Sequence, residues 1–392
     1  MKKILIITYY FPPSGGSGVQ RWLKFVKYLP EFGWEPTVIT TKDGDYPSID
    51  RSLLEDIPKN IKIIRTKTPT FGNVFHKMNK KNSEIPYGSL ESSSEDSLIK
   101  KISIWFRLNL VIPDARKIWN KYAFKAAKEE LLSHKYDFIV TTGPPHSTHL
   151  VGLKLKHKFN IKWIADLRDP WTKMGYLKNV RRWKITERSD QILEQKVIKK
   201  CDLLFVAHQK ILDDFGNEEK MHLLTNGFDH EDFENIQKEK EQNNFCINYF
   251  GTISLEANPI SILKAVNELF DKGNKNIRLN FRGKIDHKVK QILQKEDRND
   301  LVKFHSYTSH KKTIKKMINS SLLLLMVNNV PNNKGIIPGK IFEYIGSQIP
   351  IVAVGPKEGE VAKILEETNS GKIFTYHEIE DIKKYIESKL DN

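Results

Sequence analysis

The chain has 392 residues, too many for one ordinary hydrophobic core, which points to two domains. With 39% apolar and 29% charged residues it suits a folded globular protein, and no segment approaches the roughly 20 apolar residues of a membrane span. The formal net charge of +16 favours anionic partners, whether nucleic acid, acidic lipid or phosphorylated small molecules, and does not choose among them.

Taken in chain order, the first apolar run is "ILIIT" (4–8). Lys2 and Lys3 before it imitate a leader peptide, but the run is short and ends in Pro12-Pro13, so it reads as a buried strand. Next come "PTVITT" (36–41), "IKIIRT" (61–66), "DFIVTT" (137–142), "KWIADL" (162–167) and "DLLFVA" (202–207). These runs are rich in β-branched residues and largely unalternating, as expected of parallel strands buried on both faces. Between the first two, Val19, Trp22, Leu23, Val26 and Leu29 recur at helix spacing, with Lys24 and Lys27 elsewhere on the wheel. Alternating strands and helices predict a doubly wound α/β domain. The Ser-rich polar stretch 77–97 reads as a mobile surface loop.

The pattern then restarts. After a polar junction near 228–244 come "FCINYFG" (245–251), "IRLNFRG" (277–283), "VKFHSY" (302–307), "SLLLLMV" (321–327) and "IPIVAVG" (349–355), again with helical segments between them. Two α/β domains in tandem follow, 1–228 and 229–377. The two cysteines, Cys201 and Cys246, are far apart and lack metal-ligand spacing, which excludes a disulfide framework and suits a reducing, cytoplasmic compartment.

Open α/β sheets bind ligands outside the carboxyl ends of their strands, so the residues just after each strand carry the functional information. Gly15-Gly16-Ser17-Gly18 lies between the first strand and a helix start, where backbone N–H groups and the helix dipole favour an anion. It is neither a dinucleotide fingerprint, because Arg21 stands where the third glycine would be, nor a P-loop. In "TTGPPHSTHL" (141–150), His146 follows the strand, with His149 nearby and Ser147 as a candidate cap; no further metal ligands accompany the pair. Asp166, Arg168 and Asp169 follow the next strand, either as a site or as a local Arg168–Asp169 ion pair. In the second half, "NYFGT" and "FRG" each end a buried strand in glycine, and Arg282 is a permanent cation at that edge. In "KGIIPGKIFEYIGSQIPIVAVG" (334–355), Pro338 and Gly339 precede a helix beginning near Lys340, and Glu343 shares a face with that lysine. A lysine there suits phosphate, and a carboxylate one turn on suits ribose hydroxyls. "DGD" (43–45) is ordinary turn chemistry, not a metal motif.

With these residues in hand, the chain resembles a GT-B glycosyltransferase of family 4, of the bacterial surface-polysaccharide type. The matching pieces, in order, are "ILIITYYFPPSGGSGVQRW", "TTGPPHS", "ADLRDPW", "LLTNGFD", "YFGTISLEANP" and "GKIFEYIGSQIPIVAVG". The resemblance implies two Rossmann-like doubly wound domains facing a central cleft, with the acceptor on the N-terminal domain and a nucleotide-sugar of UDP or GDP type on the C-terminal one. It also implies a last helix, about 378–392, that crosses back to the first domain. Transfer with retention and without a metal or other cofactor follows from the same likeness. Lys340, Arg282, Asp169 and His146 are then the expected catalytic groups, and Gly16, Ser17, Gly251, Thr252, Gly339 and Glu343 the expected donor-binding ones. Two departures stand out: "GTISLEANP" carries neither the Arg nor the Lys common in the family, and the first glutamate of its E-x7-E pattern is Gly335 or Ile336 by either count. Lys340 and Glu343 form a K-x-x-E variant instead.

Basic and aromatic residues interleave in 97–128 and in "KNVRRWKITER" (178–188), which suggests contact with an anionic membrane on its inner face on the way to a lipid-linked or glycan acceptor. No nucleic-acid motif accompanies the charge, so no nucleic-acid partner is expected. The competing readings are a non-catalytic GT-B-like binding protein with a basic surface for membrane or polyanion, and a GT-B nucleotide-sugar epimerase.

Overall fold

A computed structural model of the protein describes residues 1–69, 105, 108–174, 177, 182–216, 218–234, 236–238 and 244–390, and of Ser17 the backbone alone. The polar stretch 77–97, most of the first part of 97–128 and residues 178–181 lie outside the described residues. The chain divides into two compact units, Met1–Thr225 and Asn226–Asn392.

The first unit is built on a parallel sheet of seven strands: β1 (Lys2–Ile7), β2 (Trp34–Thr41), β3 (Lys62–Thr66), β4 (Phe138–Gly143), β5 (Lys162–Leu167), β6 (Leu203–Val206) and β7 (Met221–Leu223). The spatial order is β3-β2-β1-β4-β5-β6-β7. Leu5, Ile6 and Ile7 are fully buried, which is why β1 shows no alternation: helices cover both faces. Pro36 is tolerated inside β2 because β3 pairs with β2 only from Thr37 onward, so no ladder bond is asked of its missing N–H on that side. Helix α1 (Ser17–Tyr28) buries Val19, Trp22, Leu23 and Val26, the face predicted from their spacing. Helices α2 (Asn120–Ser133), α3 (His149–Phe159), α4 (Lys184–Lys200) and α5 (Gln209–Phe215) complete the described part of this unit.

The second unit has six parallel strands: β8 (Phe245–Phe250), β9 (Ile277–Arg282), β10 (Val302–His305), β11 (Leu322–Met326), β12 (Ile351–Val354) and β13 (Gly371–Phe374), in the order β10-β9-β8-β11-β12-β13. The run "LLLLM" of β11 divides by the two-residue strand period: Leu322, Leu324 and Met326 enter one core, Leu323 and Leu325 the core on the opposite face. The helices are α6 (Ile260–Asp271), α7 (His287–Glu296), α8 (His310–Ile318), α9 (Lys340–Gly346), α10 (Glu360–Thr368) and α11 (Ile379–Leu390). The last of these, α11, packs on α6: Ile382 and Ile386 are fully buried in the second unit's core, and Lys383 pairs with Glu268 at 2.6 Å.

Strands β7 and β13 were not foreseen. Each is a sheet edge, three and four residues long, with half or fewer of its side chains buried, too short and polar to stand out as an apolar run. Among the described residues, no helix is long and apolar enough to cross a membrane.

In both sheets the strand order reverses direction once, between β1 and β4 and between β8 and β11. The loops leaving adjacent strands at such a point diverge to opposite faces and open a crevice at the carboxyl edge.

Candidate functional site

In the first unit the crevice lies between the loop after β1 and the loop after β4. Gly16 takes φ 96°, a conformation that favours glycine, and caps α1 without a side chain of its own to cover the first-turn N–H groups. The loop is held rather than slack. Gly15 N–H donates to Ser48 O at 2.9 Å, and the Arg65 guanidinium donates to Pro12 O at 2.7 Å.

Below it lies a buried ionic hub. Asp166, fully buried at the end of β5, accepts from Arg21 (Nη2 at 2.9 Å, Nε at 3.2 Å), Trp22 Nε1 (2.6 Å) and Thr142 Oγ1 (2.9 Å). Burial would push its carboxyl up, but the Arg21 charge and these donors outweigh that and hold it below its ordinary value. Arg21 also donates to Thr225 O at 3.0 Å. Arg168 does not form the local ion pair with Asp169 that was the alternative to a site. Its Nε donates to Gly143 O at 2.9 Å, Nη2 to Pro144 O at 2.8 Å, and Nη1 to Gly18 O, so one side chain ties both loops of the crevice together.

Three groups remain available for chemistry. Asp169 is half-buried, and its carboxylate has no hydrogen-bond or ion-pair partner among the described residues. Burial raises its pKa, with Arg168 opposing and Asp166 assisting. His146 is buried with both ring nitrogens unpartnered, and its ring stacks on Trp171 at 5.0 Å and 9°. Burial pushes it well below the usual imidazole range, with the neighbouring His149 and Arg168 adding to the shift. His149 hydrogen-bonds Thr141 Oγ1 through Nδ1 at 2.9 Å and leaves Nε2 unpartnered; burial pushes its pKa down to about 3. Both rings are therefore neutral near pH 7 and each can accept a hydroxyl hydrogen bond at a free ring nitrogen, while the same burial disfavours their taking up a proton. Ser147 is not a helix cap. It donates through N and Oγ to Asp114, each at 2.8 Å, and so anchors the loop that presents His146.

In the second unit the loops after β8 and β11 flank the crevice. Gly251 and Gly283 both take φ 133°, and a Cβ on Gly283 would stand 2.2 Å from Gly251 O: the two loop backbones touch. Asn329 N–H donates to Glu256 O at 2.8 Å across the crevice, and Phe250 N–H donates to the buried Tyr344 Oη at 3.0 Å, which docks α9 on β8. Thr252 O accepts from Tyr249 Oη at 2.8 Å.

At the start of α9, next to Gly339, Lys340 Nζ and Glu343 Oε2 are paired at 2.6 Å. Glu343 Oε1 lies 3.7 Å from His310 Nδ1, and His310 Nε2 lies 3.2 Å from Asp232 Oδ2. The structure thus extends the foreseen Lys340–Glu343 pair into a four-residue chain. His310 and Asp232 carry no motif in the sequence; the one available signal was that His310 follows β10 at its carboxyl end. Arg282, expected beside them as a phosphate cation, ends β9. Its Nε donates to Asn248 Oδ1 at 3.3 Å and its charge is felt by Cys246, near the far end of β8. Among the described residues no group of three or more His, Cys, Asp and Glu is arranged to hold a metal ion.

No protein-family model matches the sequence, and no curated protein matches it. Solved structures do. A sucrose-phosphate synthase from Thermosynechococcus elongatus aligns with a TM-score of 0.63 at 14% identity, covering 100% of this chain and 90% of that one. Anabaena HepE, solved in complex with UDP and glucose, aligns with a TM-score of 0.62 at 15% identity over 100% and 90% of the two chains. WaaG, a glycosyltransferase involved in lipopolysaccharide biosynthesis, aligns at 0.54 and 14% over 100% and 91%. A proposed UDP-N-acetylglucosamine 2-epimerase from Listeria monocytogenes shares the architecture too, at 0.56 and 13% over 100% and 89%. At such identities the likeness speaks for architecture: the chain has the pair of Rossmann-like α/β units of the GT-B fold.

Proposed function

We propose that the protein is a retaining, metal-independent glycosyltransferase that moves a sugar from a nucleoside-diphosphate-sugar, of UDP or GDP type, to a glycan or lipid-linked acceptor in cell-surface polysaccharide synthesis. The observation that carries this reading is the Lys340–Glu343–His310–Asp232 chain in the second unit. A cation suited to phosphate beside a carboxylate suited to ribose hydroxyls, in an open α/β unit of the kind that takes nucleotides, supports it. The fold shared with a structure that holds UDP and glucose supports the same reading.

In this scheme the bond between the anomeric carbon and the β-phosphate oxygen breaks, and negative charge grows on the departing diphosphate. Lys340 and the backbone N–H groups at Thr252 and Gly339 stabilise that charge; the Gly251 N–H, expected to join them, is already committed to Arg282 O at 2.9 Å. The acceptor oxygen bonds to the same face of the anomeric carbon, and its proton passes to the departing phosphate. Asp169 and His146 orient the acceptor hydroxyl or the transferred sugar. Arg282, whose Nε donates to Asn248 Oδ1, is the further cation that this reading assigns to the diphosphate.

Thermal shift against UDP, GDP and ADP tests the donor site: stabilisation by one of them is expected, and none by any would refute it. Product analysis with a nucleotide-sugar, with and without a lipid-linked acceptor, then separates transfer from epimerisation of the free donor. The epimerase remains the second reading because a protein of that description shares the fold.

A further inference from the structure

Helix α4 reverses the usual placement of charge. Its inward face buries Asp190 and Glu194 among Thr186, Val197 and Ile198. Both acids are committed there: Asp190 accepts from Trp171 Nε1 at 2.8 Å and Arg182 Nη2 at 2.9 Å, and Glu194 accepts from Thr172 N and Oγ1 at 3.0 and 2.7 Å. The outward face is left with Lys184, Arg188, Lys196, Lys199 and Lys200, all exposed, against a single exposed acid, Glu187. Among the described residues none of these five cations has an ion-pair partner.

Between the cations sit Ile185 and Ile192, 72% and 57% exposed. Seven residues apart, they lie on one face about 10 Å from each other. Where α4 begins, Trp183 meets Trp105 edge to face at 5.0 Å, and both rings are more than 40% exposed. The Trp105 segment is fastened there, with Trp183 N–H and Thr186 Oγ1 donating to Asn109 at 2.7 and 2.9 Å. The neighbouring residues 178–181, with Lys178 and Arg181, lie outside the described residues.

Lysines near a helix end are explained by the helix dipole, and single exposed apolar residues need no explanation. Two isoleucines and two tryptophans set among five unpaired cations do. A nucleic acid would engage the cations and leave Ile185 and Ile192 in water. An anionic bilayer takes both, with the cations at the headgroups and the apolar side chains below them. We propose that the outer face of α4, with Trp105 and Trp183 at its start, docks the first unit on an anionic lipid surface.

The proposal goes beyond the donor site and does not rest on it, because vesicle binding is read without any nucleotide-sugar. The test is co-sedimentation of the full chain with phosphatidylglycerol–phosphatidylcholine vesicles and with phosphatidylcholine alone, with 20-base-pair duplex DNA as competitor. Binding to the anionic vesicles alone is expected. Arg188→Gln/Lys196→Gln/Lys199→Gln should weaken it about a hundred-fold, at about a factor of five per cation. Ile185→Ser/Ile192→Ser should weaken it about ten-fold by removing apolar anchors. All five positions are exposed, so melting points should hold and serve as the folding control. Absence of binding to anionic vesicles overturns the proposal. So does an unchanged affinity in the Ile185→Ser/Ile192→Ser variant, which would leave a general polyanion surface.

Discussion

The Arg21 guanidinium and the Asp166 carboxylate meet at 2.9 Å, 145 residues apart in the chain, and both are buried. This pair joins the first turns of α1 to the end of β5 beneath the crevice of the first unit. Removing one partner strands the other charge away from water, so Arg21→Met should destabilise the protein by about 3–5 kcal/mol, read by urea unfolding. Arg21→Met/Asp166→Leu should recover most of that loss. The acid limb follows from the same pair: Asp166's native pKa lies below its unfolded value of about 3.9, so its contribution is complete above that pH and is lost as pH falls through the native pKa.

The two crevice histidines predict a second, higher pH dependence. Burial holds His146 and His149 neutral, while in the unfolded chain each takes a proton near pH 6.5. Below that value the unfolded state binds more protons, so stability falls with pH, by up to about 1.4 kcal/mol per pH unit for each histidine. Melting temperature against pH between 7.5 and about 5 measures it. His149→Gln should flatten the slope; a slope identical to that of the parent chain contradicts the burial argument.

Asp169 carries the opposite sign. Its raised pKa means that burial disfavours the charged form, so at pH 7 the ionised side chain costs stability. Asp169→Asn should leave the melting point unchanged or raise it, while lowering kcat by about 100-fold or more if the carboxylate orients the reacting hydroxyl. A stable variant with full turnover would remove Asp169 from the mechanism.

At the second crevice, Lys340 and Glu343 should separate kinetically. On the proposed reading, Lys340→Ala removes a charge that matters most as the diphosphate departs, and should lower kcat about 100-fold. Glu343→Gln weakens a contact made equally in ground and transition states, and should raise the donor KM about ten-fold with kcat nearly unchanged. Steady-state kinetics with varied donor decides; parent values in both variants would refute the assignment.

Gly283 tests how tightly the β8 and β9 loops are joined. A Cβ there meets Gly251 O at 2.2 Å, and the φ of 133° is foreign to alanine. Gly283→Ala should destabilise the second unit by about 1–3 kcal/mol and weaken nucleotide binding through displacement of Gly251. Thermal melts with and without nucleoside diphosphate report both effects. Gly33→Ala, at a positive φ but with open space around it, controls for the backbone term alone.

The apolar runs of the chain were enough to locate eleven of the strands and the restart between two α/β units, because a strand buried on both faces must be apolar throughout. They also placed Gly16, His146, Asp169 and Gly251 in the segments that follow strands, and Lys340 and Glu343 at a helix start, since chemistry in such sheets gathers at the carboxyl edge. Partner choice was not legible. Arg21 binding Asp166, Arg168 spanning three carbonyls, His310 joining Glu343 to Asp232, and Arg282 turning toward Asn248 all depend on which strands become neighbours. The short edge strands β7 and β13 and the seating of α11 on α6 depend on it too. Local pattern reports how a residue meets solvent, whereas side chains far apart in the chain find each other only once strand order has brought them within hydrogen-bond reach.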